Sequence, residues 1–349
     1  MSERRSLKDH APERLRELLA ADGLRPYRAD QIMGWLYTKG VDDLAEMTDL
    51  ARGDREALAA GWETRALEIE KVERSTDGTL KAVLIAHDGV RIEAVLIPEE
   101  DRTTLCVSTQ VGCAMACSFC ATGFLGHTRN LRTSEIIDQV CRMRTLLRAG
   151  RTITNVVFMG MGEPLANLPA VLEAIRILIH PKAFAMAPRR ITVSTVGIAP
   201  KIEQLLEVGS INLAVSLHAT TDAVRDQLVP INRRFPLAML LGTLRGLEHV
   251  TPRRPVFFEY TLIGGVNDSV ADARRLPGLL AGIPSKINLI PLNPHPDSEL
   301  RPPGPEAIDA FLRELAGSGM RVTLRRDRGA DIQAACGQLA LRRTKASAA

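Results

Sequence analysis

The sequence predicts an α/β protein: an open, partial (β/α)6 barrel preceded by a small helical module and an antiparallel β meander. Three observations carry that reading. Six short apolar stretches, TLCVSTQ, NVVFMG, RITVST, INLAVSLH, PVFFEYTLI and KINLIPLNP, are each followed by a longer amphipathic segment, the alternation expected of a parallel sheet. Two Asp-Gly turns, Asp77-Gly78 and Asp88-Gly89, divide a run of alternating apolar and polar residues into three strands. From Pro12 to about Ala60 the apolar spacing is helical, with short loops.

In the helical module, LRELLAADG stops at a glycine, and Ile32, Trp35 and Leu36 fall at i, i+3 and i+4. The meander runs from about Leu67 to Ile97, and the polar stretch Pro98 to Arg102 is the best candidate boundary. Beyond the first barrel strand, Thr133 or Ser134 can cap a helix with Glu135 in its first turn, one stripe of Ile136, Val140, Met143 and Leu147, and a stop at Gly150. Six units rather than eight leave the barrel open, and its functional groups are expected at the carboxyl ends of the strands. The expected organisation is a helical module over 1–66, a β-meander linking segment over 67–98, a catalytic barrel over 99–341 and a disordered tail over 342–349.

Composition narrows the classes. With 349 residues, 45% hydrophobic and 25% charged, the chain is an ordinary folded protein, which excludes disorder, collagen and coiled coil. No run of 18 apolar residues is present and the N-terminus is charged, so the expectation is a cytoplasmic protein without a membrane partner. The net charge is only +4, yet arginines come in pairs, Arg189-Arg190, Arg233-Arg234, Arg253-Arg254, Arg325-Arg326 and Arg342-Arg343, and local basic patches are expected. An aromatic content of 4% argues against an open base-stacking platform. Six cysteines are too few for a disulfide scaffold, and cysteines that cluster in a reducing compartment ligate metal or do chemistry.

Cluster they do. Cys113, Cys117 and Cys120 form a C-x3-C-x2-C pattern on one loop just after the first barrel strand. A structural zinc site wants four ligands and a closed ferredoxin cluster wants a fourth thiolate. With three, a 4Fe-4S cluster keeps one iron open. The motif resembles the signature of the radical S-adenosylmethionine (SAM) superfamily, in which the open iron holds the amino and carboxylate groups of SAM and an electron from the cluster cleaves it to a 5′-deoxyadenosyl radical. Met159-Gly160-Met161-Gly162-Glu163-Pro164, after the second strand, is similar to the glycine-rich SAM loop of that superfamily, with Gly162 allowing close backbone approach and Glu163 supplying a carboxylate for the SAM ammonium.

Further polar groups stand at later strand ends: Ser194, then Ser216-Leu217-His218, then Asn293. Singly each reads as a satisfied polar residue. Together they resemble the SAM contacts of the RlmN-type adenosine C2-methyltransferases of 23S rRNA and tRNA, and LCVSTQVGCAMACSFCATG, NVVFMGMGEPLAN, LAVSLHA, NLIPLNP and RGADIQAACGQLA all resemble blocks of that family. Carbon-8 methyltransferases of the Cfr type share the cysteines, so carbon-2 and carbon-8 both stand open at this point. A non-enzymatic zinc RNA-binding protein and a radical SAM enzyme acting on a small molecule or peptide are further alternatives.

Two more thiols enter through the resemblance. It implies that Cys336 takes a methyl group from one SAM, that a second SAM generates the radical, and that Cys106 helps remove the carbon-2 proton and closes a transient disulfide with Cys336. On its residues alone, Cys336 reads as a buried small side chain. Glu93 matches a family position proposed to handle a proton, whereas strand alternation puts it on the exposed face. Cys141 reads as a core thiol. The helical module around Tyr27, Arg28, Ile32 and Trp35 resembles the family's RNA-gripping accessory domain, and the target base must be extruded to be reached. A flavodoxin-type or similar electron donor, two SAM per turnover and a monomeric state complete the expectation.

Overall fold

The computed structural model describes residues 5–325 and 327–339. Arg326, Arg342-Arg343, the last two residues of the expected barrel and the expected tail 342–349 lie outside the described residues. Ten strands form one sheet: β1 (Leu67–Arg74), β2 (Leu80–Ala86), β3 (Arg91–Pro98), β4 (Thr103–Cys106), β5 (Asn155–Phe158), β6 (Ile191–Thr195), β7 (Asn212–Ser216), β8 (Val256–Leu262), β9 (Ser285–Pro291) and β10 (Val322–Leu324). Their spatial order is β10-β9-β8-β7-β6-β5-β4-β3-β2-β1, and no pairing among the described residues joins the two edges. The barrel is therefore open.

From β4 to β10 the pairings are parallel, and from β1 to β4 antiparallel. Three expectations change. The meander, read as a linking segment, continues the barrel sheet, with Val95 opposite Cys106 and Pro98 opposite Thr103. The stretch Pro98 to Arg102 is a tight turn, closed by Glu99 N–H donating to the Arg102 carbonyl at 2.7 Å, not a break. A seventh parallel strand, β10, extends the six expected. Only three residues long and half exposed, it lacks the apolar run that reveals a buried strand.

The helical module comprises α1 (Pro12–Ala21), α2 (Arg28–Met33), which continues into a wider turn at Gly34–Lys39, and α3 (Arg52–Gly61). Leu15, Leu19, Ile32, Leu36 and Leu58 are buried in a core shared with the barrel. The module is latched to α4 (Thr133–Arg144) by charge. Lys8 Nζ lies 2.5 Å from Asp138 Oδ1, both side chains fully buried, and the other Asp138 oxygen accepts from Ala66 N and Leu67 N at 2.9 Å each. Arg144 donates to the Leu36 and Tyr37 carbonyls at 2.6 Å.

The start of α4 also differs from expectation. Its N-cap is Arg132 rather than Thr133 or Ser134; Glu135 reaches back to Arg132 N–H at 2.7 Å, while Asp9 of the module accepts from Ser134 N–H at 2.7 Å. A capping carboxylate donated from 125 residues away is invisible to a local pattern. Cys141 is buried in the core beneath this helix. Beyond β10, the segment 327–339 contacts the meander. Asp331 accepts from Ser75 Oγ at 2.6 Å and Lys81 Nζ donates to the Ile332 carbonyl at 2.6 Å.

Candidate active site

The carboxyl ends of the strands surround one cleft of about 920 Å³, its open mouth included, within the usual range of small-molecule sites. Cys113, Cys117, Cys120, Gly162, Glu163, Ser194, Ser216, His218, Asn293 and Cys336 all line it. Residues far apart in sequence thus share one space.

The cysteine loop is the tip of a two-stranded ribbon. Gln110–Gly112 pairs with His127–Asn130, and Cys113 N–H donates to the Gly126 carbonyl at 2.7 Å. Gly112 sits at φ +76°, and a Cβ there would lie 1.9 Å from that same carbonyl oxygen, so only glycine closes the ribbon. Behind the loop lies an apolar shelf of Leu228, Val229, Ile263 and Leu292, with Ser118 N–H donating to the Leu228 carbonyl at 3.1 Å. Burial pushes the Cys113 thiol up to about 12 and raises those of Cys117 and Cys120, so ligation at neutral pH displaces protons.

The donor set fits an iron-sulfur cluster better than zinc. Three thiols carried on one short loop at the cleft match a cluster that is held by three cysteines and keeps one position for another molecule.

On the facing wall, Gly162 at φ +102° passes so close to Gln110 that a Cβ would meet it at 2.6 Å. Glu163, next in line, is 2% exposed. Its carboxylate accepts from Thr195 Oγ1 at 2.7 Å, Leu165 N at 3.0 Å and Val196 N at 2.9 Å, and burial still raises its pKa. Three of about four acceptor positions are filled, which leaves one on Oε2.

Just past the end of β7, His218 takes up φ +57°, a left-handed conformation that few residues besides glycine adopt but that histidine, asparagine and aspartate enter more readily than most. Its Nδ1 accepts from Thr261 N–H at 3.0 Å, which puts the ring proton on Nε2, and Phe119 packs edge-on at 4.6 Å. Burial lowers its pKa to about 3, so the ring is neutral. Asn293 stands between the Cys336 carbonyl, 3.3 Å from Nδ2, and the Asp327 carboxylate, which the amide turned over reaches at 3.0 Å. We adopt the second orientation, because a carboxylate is the stronger acceptor.

Leu217, between Ser216 and His218, does not line the cleft with its side chain, which is buried in the core; its N–H donates to the Glu259 carbonyl at 2.9 Å, and its carbonyl accepts from Arg225 and Ala219. Glu93 departs too. Alternation put it on the exposed face, yet it is 2% exposed beside Lys81, whose Nζ lies 3.5 Å away, and it does not line the cleft. The alternation rule fails there because the C-terminal segment covers that face of the meander.

Cys106 and Cys336 are both free thiols. Cys106 is 8% exposed at the end of β4; burial first, then the neighbouring Cys336, push its pKa up to about 12 against the pull of Arg325. Cys336 faces the cleft, its loop pinned by Gly337 O accepting from Ala121 N at 2.7 Å and Leu339 O accepting from Thr122 Oγ1 at 2.6 Å. Both anchors lie just after Cys120, so the fold ties this thiol to the cysteine loop.

Three site residues carry no motif. Arg325 lines the cleft next to Cys336 and Glu259. Arg225, fully buried, donates to the Leu217, Val196 and Ser216 carbonyls at 3.0, 2.7 and 3.0 Å and so clamps the ends of β6 and β7. Glu259 is the one a sequence signal reveals: a lone carboxylate inside the apolar run PVFFEYTLI.

An open β/α barrel carrying three clustered thiols, a glycine-rich loop and further polar strand ends around one cleft defines a radical SAM protein, and residues 107–276 match the radical SAM superfamily. Members of that superfamily use a 4Fe-4S cluster and SAM. Residues 6–63 match the ribosomal RNA large subunit methyltransferase N-terminal domain. A dual-specificity RNA methyltransferase RlmN of Geobacter sulfurreducens is 50% identical over 327 residues, 94% of this chain and 89% of that one. Its counterpart from Geotalea uraniireducens is 46% identical, covering 99% of each chain. The solved structure of a radical SAM methyltransferase from Sphaerobacter thermophilus superposes with a TM-score of 0.92 at 45% identity, covering 96% of this chain and 99% of that one. The chain belongs to the RlmN family.

Proposed function

We propose that this chain is a radical SAM RNA methyltransferase that methylates carbon-2 of an adenosine in 23S rRNA and in tRNA. The observation that carries the reading is the meeting of the cysteine loop and Cys336 in one cleft, in a chain of the RlmN rather than the Cfr family. Carbon-2 of adenine is electron-poor, so direct delivery of an electrophilic methyl group fails and a radical route is required.

In this reading Cys113, Cys117 and Cys120 hold the cluster, which when bound supplies the electron that cleaves SAM. Glu163, Ser194, Ser216, His218 and Asn293 line the space in which SAM is held. The Cys336 thiol accepts a methyl group from one SAM as a nucleophile. When a second SAM is bound and cleaved, its deoxyadenosyl part would take a hydrogen atom from that methyl group as 5′-deoxyadenosine, the resulting S-CH2 carbon adds to carbon-2 of the base, and the adduct gives one electron back to the cluster. Cys106 takes part in removing the carbon-2 proton and then attacks the Cys336 sulfur, so that the S–CH2 bond breaks as the disulfide closes and the released carbon takes up a proton as the product methyl group; cellular reductants reopen the disulfide. Burial keeps the Cys106 thiol protonated at rest, and Arg325 is the cation that favours its thiolate. Glu93 acts at a distance from the cleft, through Lys81 and the Cys336 segment that Lys81 holds.

RNA, a flavodoxin-type or similar electron donor and a monomeric state belong to the same reading. A cytoplasmic site of action, where rRNA and tRNA are found, belongs to the same reading; no described helix is long and apolar enough to cross a membrane. One experiment tests the proposal: reconstituted protein, SAM and reductant are incubated with 23S rRNA and tRNA, and nucleosides are identified by mass spectrometry. The expected product is 2-methyladenosine, and Cys106→Ala is expected to accumulate a covalent protein-RNA adduct. Only 8-methyladenosine, or normal turnover without adduct in that variant, overturns it.

A further inference from the structure

Glu259 lies on β8, inside the barrel, between Ser216 of β7 and Asn288 of β9 in the register of the sheet. Its side chain lines the cleft and is 5% exposed. One oxygen, Oε1, accepts from Asn288 Nδ2 at 2.8 Å, and Asn288 is itself held by Thr323 Oγ1 of β10 at 3.2 Å. The other oxygen, Oε2, is buried without any hydrogen-bond partner among the described residues. Arg325, which lines the same cleft, favours the charged form.

A buried carboxylate oxygen with no donor is costly, and native structures retain such a group where a ligand or ion completes it. Here the carboxyl is held on one oxygen by Asn288, which Thr323 holds in turn, and the residue lines a cleft together with Ser216, His218 and Asn293. A hydrophobic side chain in that strand would pack without penalty, so the acid calls for a donor arriving from the cleft.

On the functional reading above, we propose that Glu259 is a binding residue whose Oε2 accepts a hydrogen bond from an adenosyl group in the cleft, through a ribose hydroxyl or the exocyclic amine. Two bound molecules offer that chemistry, SAM and the target adenosine. Ser216 lies directly beside Glu259 in the sheet, and Cys336 shares the same cleft, so both sources fall within the lining that contains it. A carboxylate on ribose hydroxyls is the device by which dinucleotide-binding folds hold the same group.

The test uses Glu259→Gln in the reconstituted holoenzyme. With the Gln oxygen retained on Asn288, its nitrogen replaces Oε2 and presents a donor where the ligand needs an acceptor. SAM affinity is measured by equilibrium dialysis with labelled SAM and no RNA; KM for RNA is measured separately at saturating SAM. A SAM Kd weakened tenfold or more, about 1.4 kcal/mol, assigns the contact to SAM. An unchanged SAM Kd with KM for RNA raised tenfold or more assigns it to the target base. Both values within twofold of wild type overturn the proposal. Glu259→Asp, which keeps the charge and withdraws the oxygen by one methylene, replaces the first variant if that variant loses iron, and is read by the same thresholds. Failure of the wild type to form 2-methyladenosine strikes the functional reading instead, and leaves the dialysis result standing.

Discussion

His218 makes the metal-free protein acid-sensitive, and the size of the effect derives from its surroundings. The ring is 4% exposed, Nδ1 accepts from Thr261 N–H, and its pKa is held near 3 instead of 6.5. Below pH 6.5 the unfolded chain binds a proton that the folded chain refuses until about pH 3. Stability from this residue is thus complete above pH 6.5 and is lost as pH falls through that window. At 1.36 kcal/mol per unit, moving to pH 5 costs about 2 kcal/mol. The unfolding entropy of a chain this long is about 0.7 kcal/mol/K, so the cost is about 3 °C in melting temperature. Asparagine at this position tolerates positive φ and can offer its amide oxygen to Thr261 N–H, but does not titrate. We expect His218→Asn to reduce the drop in melting temperature between pH 7.5 and pH 5 by about 3 °C, read by differential scanning calorimetry. Glu163 and Glu259, whose pKa values are raised, act with the opposite sign and are common to both proteins, so the difference isolates His218. Equal drops in the two proteins refute the reasoning.

Two further expectations concern the rest of the chain. Asp138→Ala removes the partner of fully buried Lys8 together with the acceptor for two backbone N–H groups, and a cost of about 3–5 kcal/mol is expected, seen as a melting temperature lower by about 4–7 °C; a loss below about 1 kcal/mol refutes the latch. The arginine pairs divide by face. Arg189-Arg190 and Arg253-Arg254 are exposed just before β6 and β8, at the amino ends of the strands, while exposed Arg233-Arg234 come after the Val229 shelf behind the cysteine loop. Changing Arg233 and Arg234 to Gln is expected to weaken RNA binding and to flatten its dependence on log salt by about 1.5, whereas the same change at Arg189, Arg190, Arg253 and Arg254 leaves that slope within about 0.5; the reverse ranking refutes the assignment of faces.

That division of the arginines marks where sequence reasoning stops. Doublets can be counted in a sequence, but whether they surround a site depends on which end of a strand they adjoin. Two of the pairs lie on the face opposite the cleft, because each precedes its strand. Residues just past a strand were legible: the cysteine loop, Gly162, Glu163, Ser216, His218 and Asn293 each sit at or a few residues past the end of an apolar run, and the parallel sheet carries every such position to one rim. Side-chain direction was less so. Leu217 shares that rim by its backbone, yet the pleat turns its side chain into the core, while Ser216 and His218 on either side reach the cleft. Glu93 failed for a different reason: alternation describes a strand with one wet face, and here a segment from the far end of the chain covers that face and pairs with its neighbour Lys81. Arg225 had no signal at all, since its role is to collect carbonyls from two strand ends that meet only in the folded barrel. Glu259 lies between these cases. A carboxylate inside an apolar strand announces burial, but only the barrel shows that one oxygen is held and the other waits, which is a property of three adjacent strands and of no single stretch of sequence.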